Sequence, residues 1–343
     1  MGWTVVLWGM SIPRALAEPG RPGLYHVCSR VVDRRVIFGE RERRKFMELI
    51  KGGAVFAGVD VVSWCLMGNH FHLLVRVLPM GADDLSDEDV LARMESIYRE
   101  PRMRHYRGVW ERMETTERRR DFLAPFRARM GSLSEYVRTL KQRFTQWFNR
   151  SKGREGTLWE GRFHSVLLSH NESEDGRGLG LLARFVAGYI DLNPVRAGVV
   201  REASESDWSG YGAALRGDGD GVAGLRILWG SGVTAKMDSR SVLEMHGRML
   251  GRACVVKGDG VASGDGRGLS RWDKPESEGA VGQVGRDPHV QAVGRYPVGS
   301  GDGGGRQESE VLSRMCERCE ALTKGRVLGG RWLGSFGGAV PPG

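Results

Sequence analysis

The chain has 343 residues, with 51 Lys+Arg against 42 Asp+Glu, a formal net charge of +9. That length allows one to three domains with a core, and 40% hydrophobic with 27% charged residues is ordinary globular composition. The 51 glycines follow no G-X-Y period, which excludes a collagen-like chain, and no apolar run reaches the ~18 residues of a membrane-spanning helix.

In chain order, residues 1–22 read as an irregular lead-in rich in Pro and Gly. The apolar stretch Trp3 to Met10 and the small residues Ala15-Leu16-Ala17 lack the basic n-region of a secretory signal, so Met10 is expected as the natural start. LYHVCSRV, residues 24–31, is aromatic and β-branched and predicts a strand. RERRKFMELIKGG predicts a helix stopped by Gly52-Gly53. VDVVSWCLM, residues 59–67, predicts a buried strand. Gly68-Asn69 then predict a turn, and HFHLLVRV, residues 70–77, a further strand ended by Pro79. This β-α-β-β order opens an α+β, ferredoxin-like antiparallel sheet with helices on one face.

Residues 83–89 carry Asp83, Asp84, Asp87, Glu88 and Asp89, suited to a helix start. Residues 101–130 hold nine arginines against four acidic residues and predict a basic helical insert. In residues 133–150, Leu133, Tyr136, Val137, Leu140, Phe144 and Phe148 recur at helical spacing until Gly153. Leu182, Phe185, Val186 and Tyr189 form another helical stripe, which Pro194 ends near Asn193. Residues 23–215 therefore form the main domain. Residues 216–310 read as a Gly-rich flexible linker, densest over 251–310, where 15 glycines in 60 residues leave too little apolar surface to offset ordering. Residues 311–343 regain apolar spacing and predict a small helical module. The cysteines (Cys28, Cys65, Cys254, Cys316, Cys319) are odd in number and scattered, which suits reduced thiols and a cytoplasmic protein.

Three features carry chemistry. His70 and His72 are two apart, so on a strand both imidazoles face one way and make half of a divalent-metal site; two histidines on a partly exposed strand would look the same. Tyr189 and Asn193 are four apart, hence neighbours on a helix face; a tyrosine in such a stripe is also an ordinary core residue. Between them, QRFTQWFNRSKGREGTLWEGRFHS, residues 142–165, interleaves basic and aromatic residues. Basic groups neutralise phosphates while aromatic faces accept stacked bases, and a buried aromatic core under a basic surface gives the same pattern.

Together, H-F-H, NR-x5-GTLWEGRF and YIDLNPVRAG, in that order over residues 22–215, resemble the REP-associated tyrosine transposases, a branch of the HUH single-tyrosine, insertion-sequence-200-like enzymes. The segment ERCEALTKGRVLGGRWLGSF is similar to a C-terminal tail of some relatives. The resemblance implies a ferredoxin-like fold, a divalent metal (Mg2+ or Mn2+), and cleavage and rejoining of single-stranded or hairpin DNA through a covalent 5′-phosphotyrosine. It implies His70 and His72 as metal ligands, Asn193 as a further polar ligand and Tyr189 as nucleophile. Lys141, Arg143, Arg150, Lys152, Arg154, Arg162 and Arg196, with Trp147 and Trp159, would hold DNA bearing palindromic repeats. No membrane partner is expected, and the chain would act as a monomer or homodimer. Phe144 and Phe148 stand where some relatives have tyrosine, which leaves Tyr136 as the rival nucleophile. Two alternatives make different predictions. A non-catalytic, domesticated hairpin-binding protein would bind without forming an adduct. A metal-dependent hydrolase would cut DNA without becoming attached to it.

Overall fold

The computed structural model describes residues 15–81, 84–168 and 179–255. Four strands form one sheet: β1 (Gly23–Arg30), β2 (Val59–Leu66), β3 (His70–Val77) and β4 (His164–Leu168). Their order is β2-β3-β1-β4 and every pairing is antiparallel. With α1 (Glu40–Ala57) between β1 and β2, and helices between β3 and β4, this is the β-α-β-β-α-β arrangement of a ferredoxin-like sheet.

One sheet face packs on α1 and on α5 (Leu133–Lys152). Tyr25, Val27, Trp64, Phe71, Leu73 and Val75 meet Phe46 and Ile50 of α1 and Val137, Leu140 and Phe144 of α5. Each fully buried side chain of this size contributes about 1.5–3 kcal/mol. Helix α1 does not stop at Gly52-Gly53; it runs on to Ala57 and is capped by Gly58 in the left-handed region (φ 66°). The two glycines serve packing instead. A Cβ on Gly52 would lie 2.5 Å from the Ser96 carbonyl oxygen, and one on Gly53 would lie 3.1 Å from the Tyr136 ring.

The insert between β3 and α5 folds as α2 (Asp87–Glu95), α3 (Glu100–Glu111) and α4 (Thr116–Arg127). Ser86 caps α2 through Asp89. Phe56, Leu91, Met94, Met103 and Leu123 form a second, separate core there.

Helices do not stay on one face. Helix α6 (Leu181–Asp191) covers the opposite face, which carries His26, Cys28, Ser63, Cys65, His72 and Leu74, all buried or nearly so. A short turn, α7 (Asn193–Arg196), follows it. The outer edge of β2 is closed by residues 208–209, where the Leu66 amide donates to the Trp208 carbonyl (2.9 Å), and by α8 (Gly210–Leu215) and α9 (Gly219–Trp229). A Cβ on Gly224 would lie 2.3 Å from the Val62 carbonyl oxygen, so α9 reaches this edge because it has glycine there.

The flexible linker expected from residue 216 is corrected up to residue 255. Helix α9, α10 (Ser231–Thr234) and α11 (Ser239–Val255) occupy that span and bury Leu225, Leu228, Val242 and Leu250. Of its glycines, Gly217 and Gly230 sit at positive φ, and Gly221 and Gly224 at close approaches. The rest of that linker, the 311–343 module, residues 1–14, Asp83, Cys316 and Cys319 lie outside the described residues, as does the Cys254 side chain. Among the described residues no helix is long and apolar enough to cross a membrane.

Candidate functional site

The strand period puts His70 and His72 on the face covered by α6. The β1–β3 register sets Cys28 beside His72 and Arg30 beside His70. Helix α6 lays Tyr189 over this row. The Tyr189 ring meets His72 edge-on at 5.9 Å and His26 at 6.0 Å. The His70 and His72 rings are 5.2 Å apart and nearly perpendicular. The helix breaks at Leu192, and Asn193 opens the next turn one helical turn beyond Tyr189, its side chain against His70. The structure thus brings His70, His72, Tyr189 and Asn193 together. Arg196 joins them, its guanidinium 4.9 Å from the Tyr189 ring centre.

The hydrogen bonds set the His70 tautomer and restrict that of His72. His70 Nδ1 lies 2.7 Å from Asn69 Oδ1. An amide oxygen only accepts, so Nδ1 carries the proton and His70 Nε2 is a bare lone pair. His72 Nδ1 lies 3.0 Å from His26 Nε2. If Nδ1 is the donor there, His72 Nε2 is also a bare lone pair. Both Nε2 atoms are buried without an aligned hydrogen-bond partner. Burial pushes His26 and His70 down to about 4 and His72 well below the usual imidazole value; the Arg30 charge adds to the last two, while Asn193 favours charged His70. All three rings are therefore neutral at pH 7.

These atoms fit a divalent cation. Two buried, neutral imidazole nitrogens without an aligned partner and a nearby carboxamide are donors of the right kind. Among the described residues no group of three or more His, Cys, Asp or Glu side chains is arranged to hold a metal. The two buried thiols flanking His72 are pushed upward by burial, Cys28 to about 12, so neither is a thiolate at neutral pH.

The expected DNA-binding residues divide. Trp159 is a core residue on the far face, its indole N–H donating to Thr145 Oγ1 (3.0 Å), so the stacking role read from sequence is corrected. Lys141 is buried beneath it and donates to the Gly161 carbonyl (2.8 Å). Arg143 turns inward to the Ile97 carbonyl and the Tyr98 ring. Trp147 is half-buried under Arg41, and Arg154 donates to the Thr157 carbonyl (3.1 Å). Arg150, Lys152 and Arg162 are exposed, Lys152 paired with Glu42 at 3.0 Å. Helix α5 and its basic residues thus lie across the sheet from Tyr189. Tyr136 lies there too, its hydroxyl donating to the Ile50 carbonyl (3.2 Å) and its acidity suppressed by burial.

Sequence reasoning missed His26, Arg30, and the buried pair Asp191–His246 (3.0 Å), which ties α6 to α11. The period-2 position of His26 and Arg30 with Cys28 places them on one face. Only the β1–β3 register puts that face beside His72.

No family model matches the chain, and no curated protein matches it by sequence. Among solved structures it is similar to one described as a REP-associated tyrosine transposase bound to a REP hairpin. The identity is 17% and the TM-score 0.37, over 61% of this chain and 87% of that one. The functional reading rests on the geometry above.

Proposed function

We propose that this protein is a metal-dependent DNA strand transferase. In this reading it cleaves and rejoins single-stranded or hairpin DNA with Tyr189 as nucleophile. The supporting observation is the pair of buried Nε2 atoms of His70 and His72, neither with an aligned hydrogen-bond partner, in a cluster whose ring contacts include Tyr189.

The Tyr189 hydroxyl attacks the scissile phosphorus. A tyrosyl O–P bond forms and the bond to the 3′ oxygen breaks. The phenol loses its proton, and the departing oxygen gains one to become a 3′-hydroxyl. The DNA keeps its 5′-phosphate on tyrosine, so attack by another 3′-hydroxyl restores the diester without ATP. His70, His72 and the Asn193 carboxamide would hold Mg2+ or Mn2+, which would supply charge withdrawal from the phosphate oxygens. Arg196 stabilises negative charge growing on the phenol, and Arg30, beside His70, offers a cation to the phosphate.

The test is a covalent protein–DNA adduct on a denaturing gel, with Mn2+ and a broad set of labelled hairpins and single strands. Wild type and Tyr136→Phe should form it; Tyr189→Phe should not. Absence of an adduct in wild type, or its persistence in Tyr189→Phe, refutes the assignment. The 8% exposure of Tyr189 and the full burial of His72 favour a second reading, a domesticated hairpin binder that no longer cuts. That protein would bind salt-sensitively, with no adduct and no metal effect.

A further inference from the structure

Helix α6 closes the candidate site. Tyr189 is buried beneath it and His72 entirely so. A phosphate that reaches both must displace α6 first, and what holds α6 down lies on its outer side. Asp191, its last residue, accepts from His246 Nε2 of α11 (3.0 Å). A Cβ on Gly188 would lie 3.3 Å from Met249 Cε and 3.5 Å from Leu250 Cδ2, so α11 packs on α6 right beside Tyr189. Helix α11 is itself seated closely on α8, where a Cβ on Gly247 would lie 2.5 Å from the Tyr211 hydroxyl. Nearer the start of α6, the Leu179 amide donates to the Leu228 carbonyl (3.1 Å), and the Arg184 guanidinium lies over the Trp229 ring at 4.7 Å.

This outer joint is under-satisfied. His246 Nδ1, Trp229 Nε1 and Arg184 Nε are all buried without an aligned hydrogen-bond partner. They belong to one cluster, since Trp229 meets His246 edge-on at 6.4 Å and Arg184 on its ring. A buried polar atom without a partner carries a desolvation cost that is recovered when water reaches it. Separating α6 from α9 and α11 therefore costs less than the apolar contacts alone would set.

We propose that α11 is a latch on α6. Seated, it keeps Tyr189 down on the histidines; when the joint opens, the histidine face is uncovered. Local opening at a cost below that of global unfolding is how elements covering a site behave. The nature of what enters rests on the strand-transfer reading above, but the opening is measurable without DNA.

Cys28 and Cys65 supply the measurement, because both are buried on the face that α6 covers. The experiment uses full-length protein carrying Cys254→Ser, Cys316→Ser and Cys319→Ser, which leaves only these two thiols. Labelling by methyl methanethiosulfonate under native conditions is followed by intact mass. Adding His246→Ala should accelerate labelling of both thiols about tenfold or more, and the milder Met249→Ala about threefold. Leu123→Ala, which empties part of the second core, is the control for general destabilisation and should leave the rate within twofold. Should His246→Ala not fold, Met249→Ala carries the test. An unchanged rate in the folded α11 variants, or an equal acceleration in Leu123→Ala, would overturn the latch. With Mn2+ and hairpin DNA, Met249→Ala should also form the covalent adduct faster than its parent, and slower formation would overturn gating by α11. Thiol rates as expected with no adduct in any variant would sink the strand-transfer reading and leave the latch standing.

Discussion

His26 Nε2 and His72 Nδ1 meet at 3.0 Å, with their rings stacked 5.3 Å apart at 18°. This contact joins β1 to β3 on the face under α6. A hydrogen bond on one ring nitrogen fixes the tautomer and orientation of the other, and so its quality as a ligand. His26 is thus a positioning residue for His72.

His26→Gln should weaken Mn2+ binding roughly 10–100-fold, the usual effect of removing an outer-shell partner of a ligating histidine. Titration followed by Mn2+ electron paramagnetic resonance reads this directly. An unchanged affinity in a folded variant would show that His72 Nε2 takes no part.

Stability should fall on acidification. Burial lowers His26 and His70 to about 4 and His72 well below 6.5, so the folded state refuses protons that the unfolded chain accepts. The stabilisation is complete above about pH 6.5 and is lost as pH falls from there toward 4. The slope is about 1.4 kcal/mol per pH unit for each imidazole. Urea midpoints of the metal-free protein at pH 7.5, 6 and 5 should decline in that order. A flat profile would contradict the burial of these rings.

Saturating Mn2+ should raise the melting temperature of wild type at pH 7.5 and have much less effect on His70→Ala/His72→Ala. A ligand that binds only the native state stabilises it by mass action, by about 2.7 kcal/mol at 100 times Kd. Equal shifts in both proteins would place the cation elsewhere.

Asp191 and His246 are fully buried, and Asp191 Oδ1 also accepts from the Tyr211 amide (3.1 Å). His246→Ala removes one partner and leaves a carboxyl oxygen unsatisfied, at a cost of about 2 kcal/mol or more. The urea midpoint should drop with the m-value unchanged. A loss below about 0.5 kcal/mol would mean that α11 does not hold α6.

Arg34→Gly should stabilise the fold by about 0.5–1 kcal/mol, since glycine adopts φ of 54° without the side-chain penalty. A thermal melt of the variant against wild type checks this. Destabilisation would mean that the Arg34 side chain stabilises the loop by more than its backbone strain costs.

The strands, the long amphipathic helix over 133–150 and the shared face of His70 and His72 were legible in the residues alone, because periods of 2 and 3.6 are local properties of the chain. Cys28 lies next to His72, and His26 reaches its ring, through β1–β3 pairing, which no local pattern encodes. Trp159 and Lys141 looked like a nucleic-acid surface and turned inward, since an aromatic-basic alternation does not say which side faces the core. Gly217, Gly221, Gly224 and Gly230 looked like a linker and proved to be turns and close contacts. Composition counts glycines, whereas a neighbouring carbonyl 2.3 Å from a missing Cβ explains why Gly224 is one of them. Tyr189 follows His72 by more than a hundred residues. Their meeting depends on α6 crossing the sheet and on the Asp191–His246 contact that ties it to α11, a packing outcome that belongs to the folded chain as a whole.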